Sequence, residues 1–401
     1  MNQNVAKLYQ LAQQPTRRII GLMSGTSLDG LDIALCEVGG AGTATTVAVL
    51  NFTTVPYTAD IKQRIRTVFA KDVVPFQYLV LLNAWLGDLH AGMVLDALKA
   101  WHIAPETIDL VASHGQTVMH APKILHQLPE FSNATLQIGD GDHIAVRTGI
   151  ITVSDFRQKH VAAGGEGAPL AVFGDYYIFS KPGENRVLLN MGGIANFTYL
   201  PASADPHEVF VTDTGPGNTL LDAFTWRFFP GLDYDANAAI ASRGSVNEAL
   251  LHALKSHPFF AMPFPKTTGP ELFNVDYVLA AQQQSMTDAL SPGDVLATLT
   301  CFSGQTIADA LRAALPADTG WGGVDVYMSG GGMHNPLLVQ TLQQQLGCRL
   351  RRTDELGVLG DAKEAVLFAV LANETVAGSG GAFGNRKGIP SVTMGKISFP
   401  N

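Results

Sequence analysis

Residues Ile19-Ile20-Gly21-Leu22-Met23-Ser24-Gly25-Thr26-Ser27-Leu28-Asp29-Gly30-Leu31-Asp32-Ile33-Ala34-Leu35 constrain the chain more than any other stretch. An apolar run stops at a turn of small hydroxyl residues and glycines, and a second apolar run starts at Leu31. Two apolar runs around such a turn predict a β-hairpin with a compact tip. Backbone N–H groups and hydroxyls at that tip suit a phosphate, and Asp29 and Asp32 add carboxylates able to hold a hydrated Mg²⁺. Ser, Gly and Asp also favour plain turns, so an ordinary hairpin is the competing reading.

A second stretch, Arg186 to Leu200, has the same form: strand, then the polar turn around Asn190, Gly192, Gly193 and Asn196, then strand. The two stretches differ in sequence and lie far apart, so they are not a tandem repeat. One such hairpin in each half predicts two similar domains gripping a nucleotide between them. A third cluster, Gly330-Gly331-Gly332, follows the apolar strand Val324–Met328 and precedes a helix near Asn335-Pro336. Backbone without a Cβ can approach a flat ligand closely there.

Met23 to Asp32, Asn190 to Asn196, Asp213-Thr214-Gly215-Pro216-Gly217-Asn218 and the Gly330 cluster together resemble the anhydro-N-acetylmuramic acid kinase family, in order from about Arg18 to the C-terminus. That family belongs to the actin, hexokinase and Hsp70-like ATPases. The resemblance implies an α/β fold of two ribonuclease-H-like domains, with mixed sheets flanked by helices and an interdomain ATP cleft. It implies ATP and Mg²⁺ as cofactors, and phosphorylation of a 1,6-anhydro sugar with hydrolytic opening of its ring. The cofactor residues it implies are Ser24, Gly25, Thr26, Ser27, Leu28, Asp29, Gly30, Leu31, Asp32, Asn190, Gly192, Gly193, Asn196, Gly330, Gly331 and Gly332, with Asp29 and Asp32 as metal ligands. A neutral anhydro sugar such as levoglucosan, or a non-catalytic nucleotide-dependent clamp, stand as alternatives.

Asp213 ends an apolar strand and precedes a rigid turn into a helix. A strand-end carboxylate is well placed for a cleft in an α/β fold, although an N-cap aspartate looks the same. The resemblance makes Asp213 the base that activates water, by the logic of inverting glycosidases. Glu364, in the family-like segment Asp361-Ala362-Lys363-Glu364-Ala365, is a second candidate carboxylate or half of an exposed salt bridge. Lys266 to Asn274 reads as a solvated loop unaided; the family's Lys-Ser/Thr-x-Gly-x-Glu pattern makes Lys266 and Glu271 candidate substrate contacts. His114, Gln116 and His120 follow a strand and can bond sugar hydroxyls, whereas their spacing matches no zinc pattern. Asp155-Phe156-Arg157 and Ala162 to Leu170 also resemble the family, placing Asp155 near substrate. The family has Asp where His160 stands and Gln where Glu166 stands.

The chain of 401 residues is long enough for two cores, and we expect domains at 17–145 plus about 380–401, and at 146–379. Net charge of −9 argues against nucleic acid or an anionic membrane as partner. Three dispersed cysteines and the lack of a signal-like N-terminus point to a reducing, cytoplasmic setting. A homodimer is expected. The stretch Asp155 to Pro169 reads as a loop, 236–241 as a helix, and Gly378 to Gly384 as flexible by composition.

Overall fold

The computed structural model describes residues 1–168, 170–315, 323–358, 360–378 and 392–401. The expected flexible stretch after Gly378 lies outside the described residues. The chain folds as two units, one of Met1–Phe179 with Gly357–Asn401, the other of Ser180–Leu356. The described residues among 146–179 and 357–378 thus pack with the first unit, because a strand at Thr152–Ser154 joins its sheet and the helix Lys363–Ala377 covers it.

The first unit is built on β1 (Thr16–Ser24), β2 (Gly30–Gly39) and β3 (Thr46–Pro56), an antiparallel meander. β4 (Leu110–Ala121) pairs parallel with β1, and its far half carries β5 (Ala134–Ile138) antiparallel. β6 (Thr152–Ser154) lies parallel to β4. The second unit repeats the scheme: β7 (Asn185–Met191), β8 (Ile194–Leu200) and β9 (Phe210–Pro216) form a meander, β10 (Val324–Ser329) runs parallel to β7, and β11 (Arg349–Arg352) runs parallel to β10. In the first unit β12 (Lys396–Ser398) closes the edge against β6, giving β12-β6-β4-β1-β2-β3; the second reads β11-β10-β7-β8-β9. Three antiparallel strands followed by two parallel additions, twice over, is the ribonuclease-H-like order, so the expected fold class holds.

Covering on both faces explains the nearly continuous apolar sequence of β1. Ile20 and Leu22 join Leu86, Val94, Leu98 and Ile144 in one core. Gly21, pointing the other way, lies under the helix Lys363–Ala377: a Cβ there would sit 1.8 Å from the carbonyl oxygen of Ala365. In the second unit Val187, Leu189 and Val326 pack with Ile307, Leu311, Leu338 and Leu342 from the helices Pro292–Ala314 and Pro336–Leu346. The helix Phe76–Ala100 is long and apolar enough to cross a membrane. Its Leu82, Leu86, Val94 and Leu98 instead fill the first core.

Two local expectations are corrected. The segment read as a loop contains the helix Phe156–Ala162, entered through Asp155 in the left-handed region (φ 56°) and anchored by buried Phe156 and His160. At 236–241 there are short 3₁₀ turns, Ala236–Ala238 and Ala241–Arg243, because Asn237 and Ala238 adopt positive φ that an α-helix cannot contain.

Candidate active site

In the first unit the turn between β1 and β2 is held from behind. Ser24 Oγ donates to Gln116 Oε1 (2.6 Å), and Gln116 Nε2 donates to the carbonyls of Gly25 (3.1 Å) and Thr117 (3.2 Å). Gln116 is fully buried, so it shapes the turn from inside the protein. Leu28 and Leu31 are buried in the core, leaving only their backbone for a ligand. Gly30 is a glycine because a Cβ would lie 2.4 Å from the Val55 carbonyl, whereas a Cβ on Gly25 meets only Ser27 Oγ at 3.6 Å. Packing therefore does not require glycine at 25; the space beside it is open. Among the described residues nothing accepts from the N–H groups of Thr26 or Ser27. Open space with free donors fits a phosphate.

Asp29 is exposed, and the half-buried Asp32 accepts from Thr54 Oγ1 (2.6 Å). Glu364, exposed in the first turn of its helix, feels Asp32: partial desolvation raises its carboxyl pKa, the Asp32 charge raises it further, and Lys363 and Arg157 oppose. Among the described residues no three His, Cys, Asp or Glu side chains gather as a cage. Mg²⁺ in phosphoryl-transfer sites takes one or two carboxylates plus phosphate oxygens and water, so the Asp29–Asp32 pair fits it.

Arg157 is a cation of this unit to which sequence alone assigns no role, although it lies in the family-like stretch Asp155-Phe156-Arg157. Its Nε donates to His114 Nε2 (2.8 Å), its Nη1 donates to the carbonyl of Gly167 (2.6 Å), and it attracts Glu364. His114 donates from Nδ1 to the Gly115 carbonyl (2.9 Å) and packs on Phe368. Burial, with Arg157 adding, brings its pKa down to about 3. Both ring nitrogens are thus committed to protein partners and the ring is neutral. His120 is exposed, with its pKa lowered by partial burial and by Arg157 and raised by Glu166. Asp155 forms an ion pair with Lys396 and lines a cavity of about 510 Å³ with His114, Gln137 and Phe76.

The second unit brings its three glycine motifs together. The N–H groups of Gly217 and Asn218 donate to the carbonyls of Gly193 (2.8 Å) and Gly192 (2.9 Å), and Asn218 Nδ2 donates to Met191 O (3.0 Å). A Cβ on Gly217 would sit 2.2 Å from Gly192 O, and one on Gly330 (φ 81°) would sit 2.7 Å from Asn190 Oδ1. Gly332 lies equally close to Met191. The turn 191–194, the Asp213 motif and the 330 cluster therefore form one backbone-lined surface.

Asp213 is the cross-strand partner of Asn196, so their side chains share a face of the sheet. One carboxylate oxygen, Oδ2, accepts the Thr268 N–H (2.9 Å). Burial raises its pKa above the usual aspartate range, the Thr268 N–H opposes, and the nearby Glu271 charge adds. Lys266 is buried: its ammonium donates to the carbonyls of Phe259 (3.0 Å) and Phe260 (3.2 Å) and lies 4.6 Å from the ring centres of Phe259 and Phe264. Its carbonyl accepts the Asp213 N–H (3.0 Å). In this arrangement Lys266 staples the loop that carries Thr268, while Glu271 is exposed beside Asp213.

Residues 17–399 match the family model described as anhydro-N-acetylmuramic acid kinase. A protein of Pseudoalteromonas atlantica with that name is 55% identical over 100% of both chains. Its namesake in Pseudoalteromonas translucida is 54% identical, again over 100% of both. One from Caldanaerobacter subterraneus is 38% identical over 98% of this chain and 100% of its own.

Proposed function

The chain belongs to the anhydro-N-acetylmuramic acid kinase family, and from that premise we propose that it transfers the γ-phosphoryl group of ATP to O6 of 1,6-anhydro-N-acetylmuramic acid as water opens the anhydro ring. The product is N-acetylmuramic acid 6-phosphate, a step in recycling cell-wall sugars. The observation that carries this reading is Asp213: a carboxylate fixed through one oxygen by Thr268 N–H and made more basic by burial. Asp213 takes a proton from water as that water attacks C1; the C1–O6 bond breaks, and O6 accepts the phosphoryl group. In the first unit the Thr26 and Ser27 N–H groups suit phosphate oxygens, and in the second unit so does the backbone around Gly192 and Gly330. Asp29 and Asp32 hold Mg²⁺, which when bound neutralises charge on the transferring phosphoryl group. Glu364, balanced by Arg157, supplies a second carboxylate to the sugar.

Turnover in ¹⁸O-water tests the reaction. The product is expected to carry phosphate on O6 and ¹⁸O at C1; product without ¹⁸O at C1 overturns the water-activation step. The phosphate turn is tested by Gly25→Val. Because the added side chain meets open space, the melting temperature should stay unchanged while ATP binding weakens about tenfold or more, roughly 1.4 kcal/mol. Normal ATP affinity in that variant removes Gly25 from the site.

The same proposal places the enzyme in the cytoplasm, consistent with the free thiols Cys36, Cys301 and Cys348, and makes it a homodimer. Exposed Phe76, Val80 and Leu81 on one helix support self-association. Equilibrium sedimentation should give twice the chain mass, and a single-chain mass would end the dimer reading.

A further inference from the structure

His160 has a specific task in the structure. It is buried against the edge of Phe173, and its Nδ1 accepts the N–H of Gly167 (2.9 Å). Gly167 adopts φ 78°, a conformation in which its N–H reaches His160 while its carbonyl reaches Arg157 Nη1 (2.6 Å). Arg157 in turn is fixed by His114 Nε2 (2.8 Å) and attracts Glu364. A ring nitrogen that accepts an N–H must carry no proton, so His160 is neutral with its proton on Nε2. That Nε2 is buried without a hydrogen-bond partner among the described residues. A buried polar atom left without a partner is costly, so the ring is held here by what Nδ1 does.

We propose that His160 is a positioning residue: its Nδ1 fixes Gly167, and the Gly167 carbonyl fixes Arg157 against His114. The inference rests on the reading of Glu364 as part of the sugar site. A displaced guanidinium would remove one of the two cations that offset the Glu364 charge, Lys363 being the other, and misplacement of about 1 Å in such a site can cost on the order of 10²-fold in rate.

Two amides separate positioning from bulk packing. In His160→Asn the amide oxygen falls where Nδ1 is; in His160→Gln it falls near Nε2, and the Gly167 N–H loses its acceptor. The Asn variant should keep kcat within about threefold of wild type, whereas the Gln variant should lose about tenfold to hundredfold in kcat with KM for ATP unchanged. Amide exchange at Gly167 reads the bond without turnover: protection should persist in the Asn variant and fall at least tenfold in the Gln variant. Equal kcat in the two variants, or equal protection at Gly167, overturns the proposal. Absence of sugar phosphorylation by the wild type would instead overturn the proposed function, and the exchange measurement would still decide the role of His160.

Discussion

Asp213→Asn is expected to lower kcat by about 10²–10⁴-fold while leaving ATP affinity and the melting temperature near wild type. Asparagine keeps the size of the side chain, and its amide oxygen can still accept the Thr268 N–H that now binds Oδ2 at 2.9 Å. The loop carrying Lys266 and Thr268 therefore stays in register. What is lost is basicity. Water must lose a proton as it attacks C1, and an amide cannot take it at neutral pH. The pH profile gives an independent mark. Burial and the Glu271 charge hold the Asp213 carboxyl above the usual aspartate range, and only its deprotonated form can act as base. Wild-type kcat/KM should thus fall on acidification through a pKa above the usual aspartate range. Glu271→Gln removes a repelling charge and should move that limb to lower pH. Near-normal turnover in Asp213→Asn, or an acid limb that Glu271→Gln leaves in place, would assign the base elsewhere.

The features legible in the sequence are those whose causes are local. The turn from Ser24 to Gly30 and the strand-end position of Asp213 follow from Ser, Gly, Asp and Pro chemistry within a few residues. The repeated strand–turn–strand pattern likewise exposes the two-unit fold. Features set by distant partners were not legible. Lys266 reads as a solvated cation, yet its ammonium is buried among Phe259, Phe260 and Phe264. His114 and Gln116 read as free hydrogen-bonding groups, yet Arg157, Gly115, Ser24 and Gly25 occupy them. Arg157 reads as an ordinary loop residue until the fold brings it onto His114 and the Gly167 carbonyl. The helix Phe156–Ala162 escapes periodicity because only Phe156 and His160 are buried and the residues around it are small or polar.

Gly21→Ala should be the most damaging single-methyl change in the first unit, in both stability and rate. In sequence Gly21 is an anomaly, a glycine inside an apolar strand where it weakens β structure. Its reason is the helix Lys363–Ala377. A Cβ at 21 would lie 1.8 Å from Ala365 O, 2.8 Å from Ala365 C and 3.1 Å from Ala369 N. All three atoms are backbone, so no rotamer change relieves the overlap; strand and helix must separate by more than about 1 Å. Overpacking of a rigid interior costs about 1–3 kcal/mol and occasionally more, and this contact belongs at the upper end. The separation also moves Glu364, the residue immediately before Ala365. A shift of that size can cost on the order of 10²-fold in kcat beyond any loss of folded protein. Calorimetry should show a melting temperature lowered by several degrees, and kcat measured well below that temperature should remain depressed. The double variant Gly21→Ala with Ala365→Gly should recover neither, because the obstructing carbonyl stays. Wild-type melting and turnover in Gly21→Ala, or rescue by trimming Ala365, would show that the helix does not seat on Gly21 in this way.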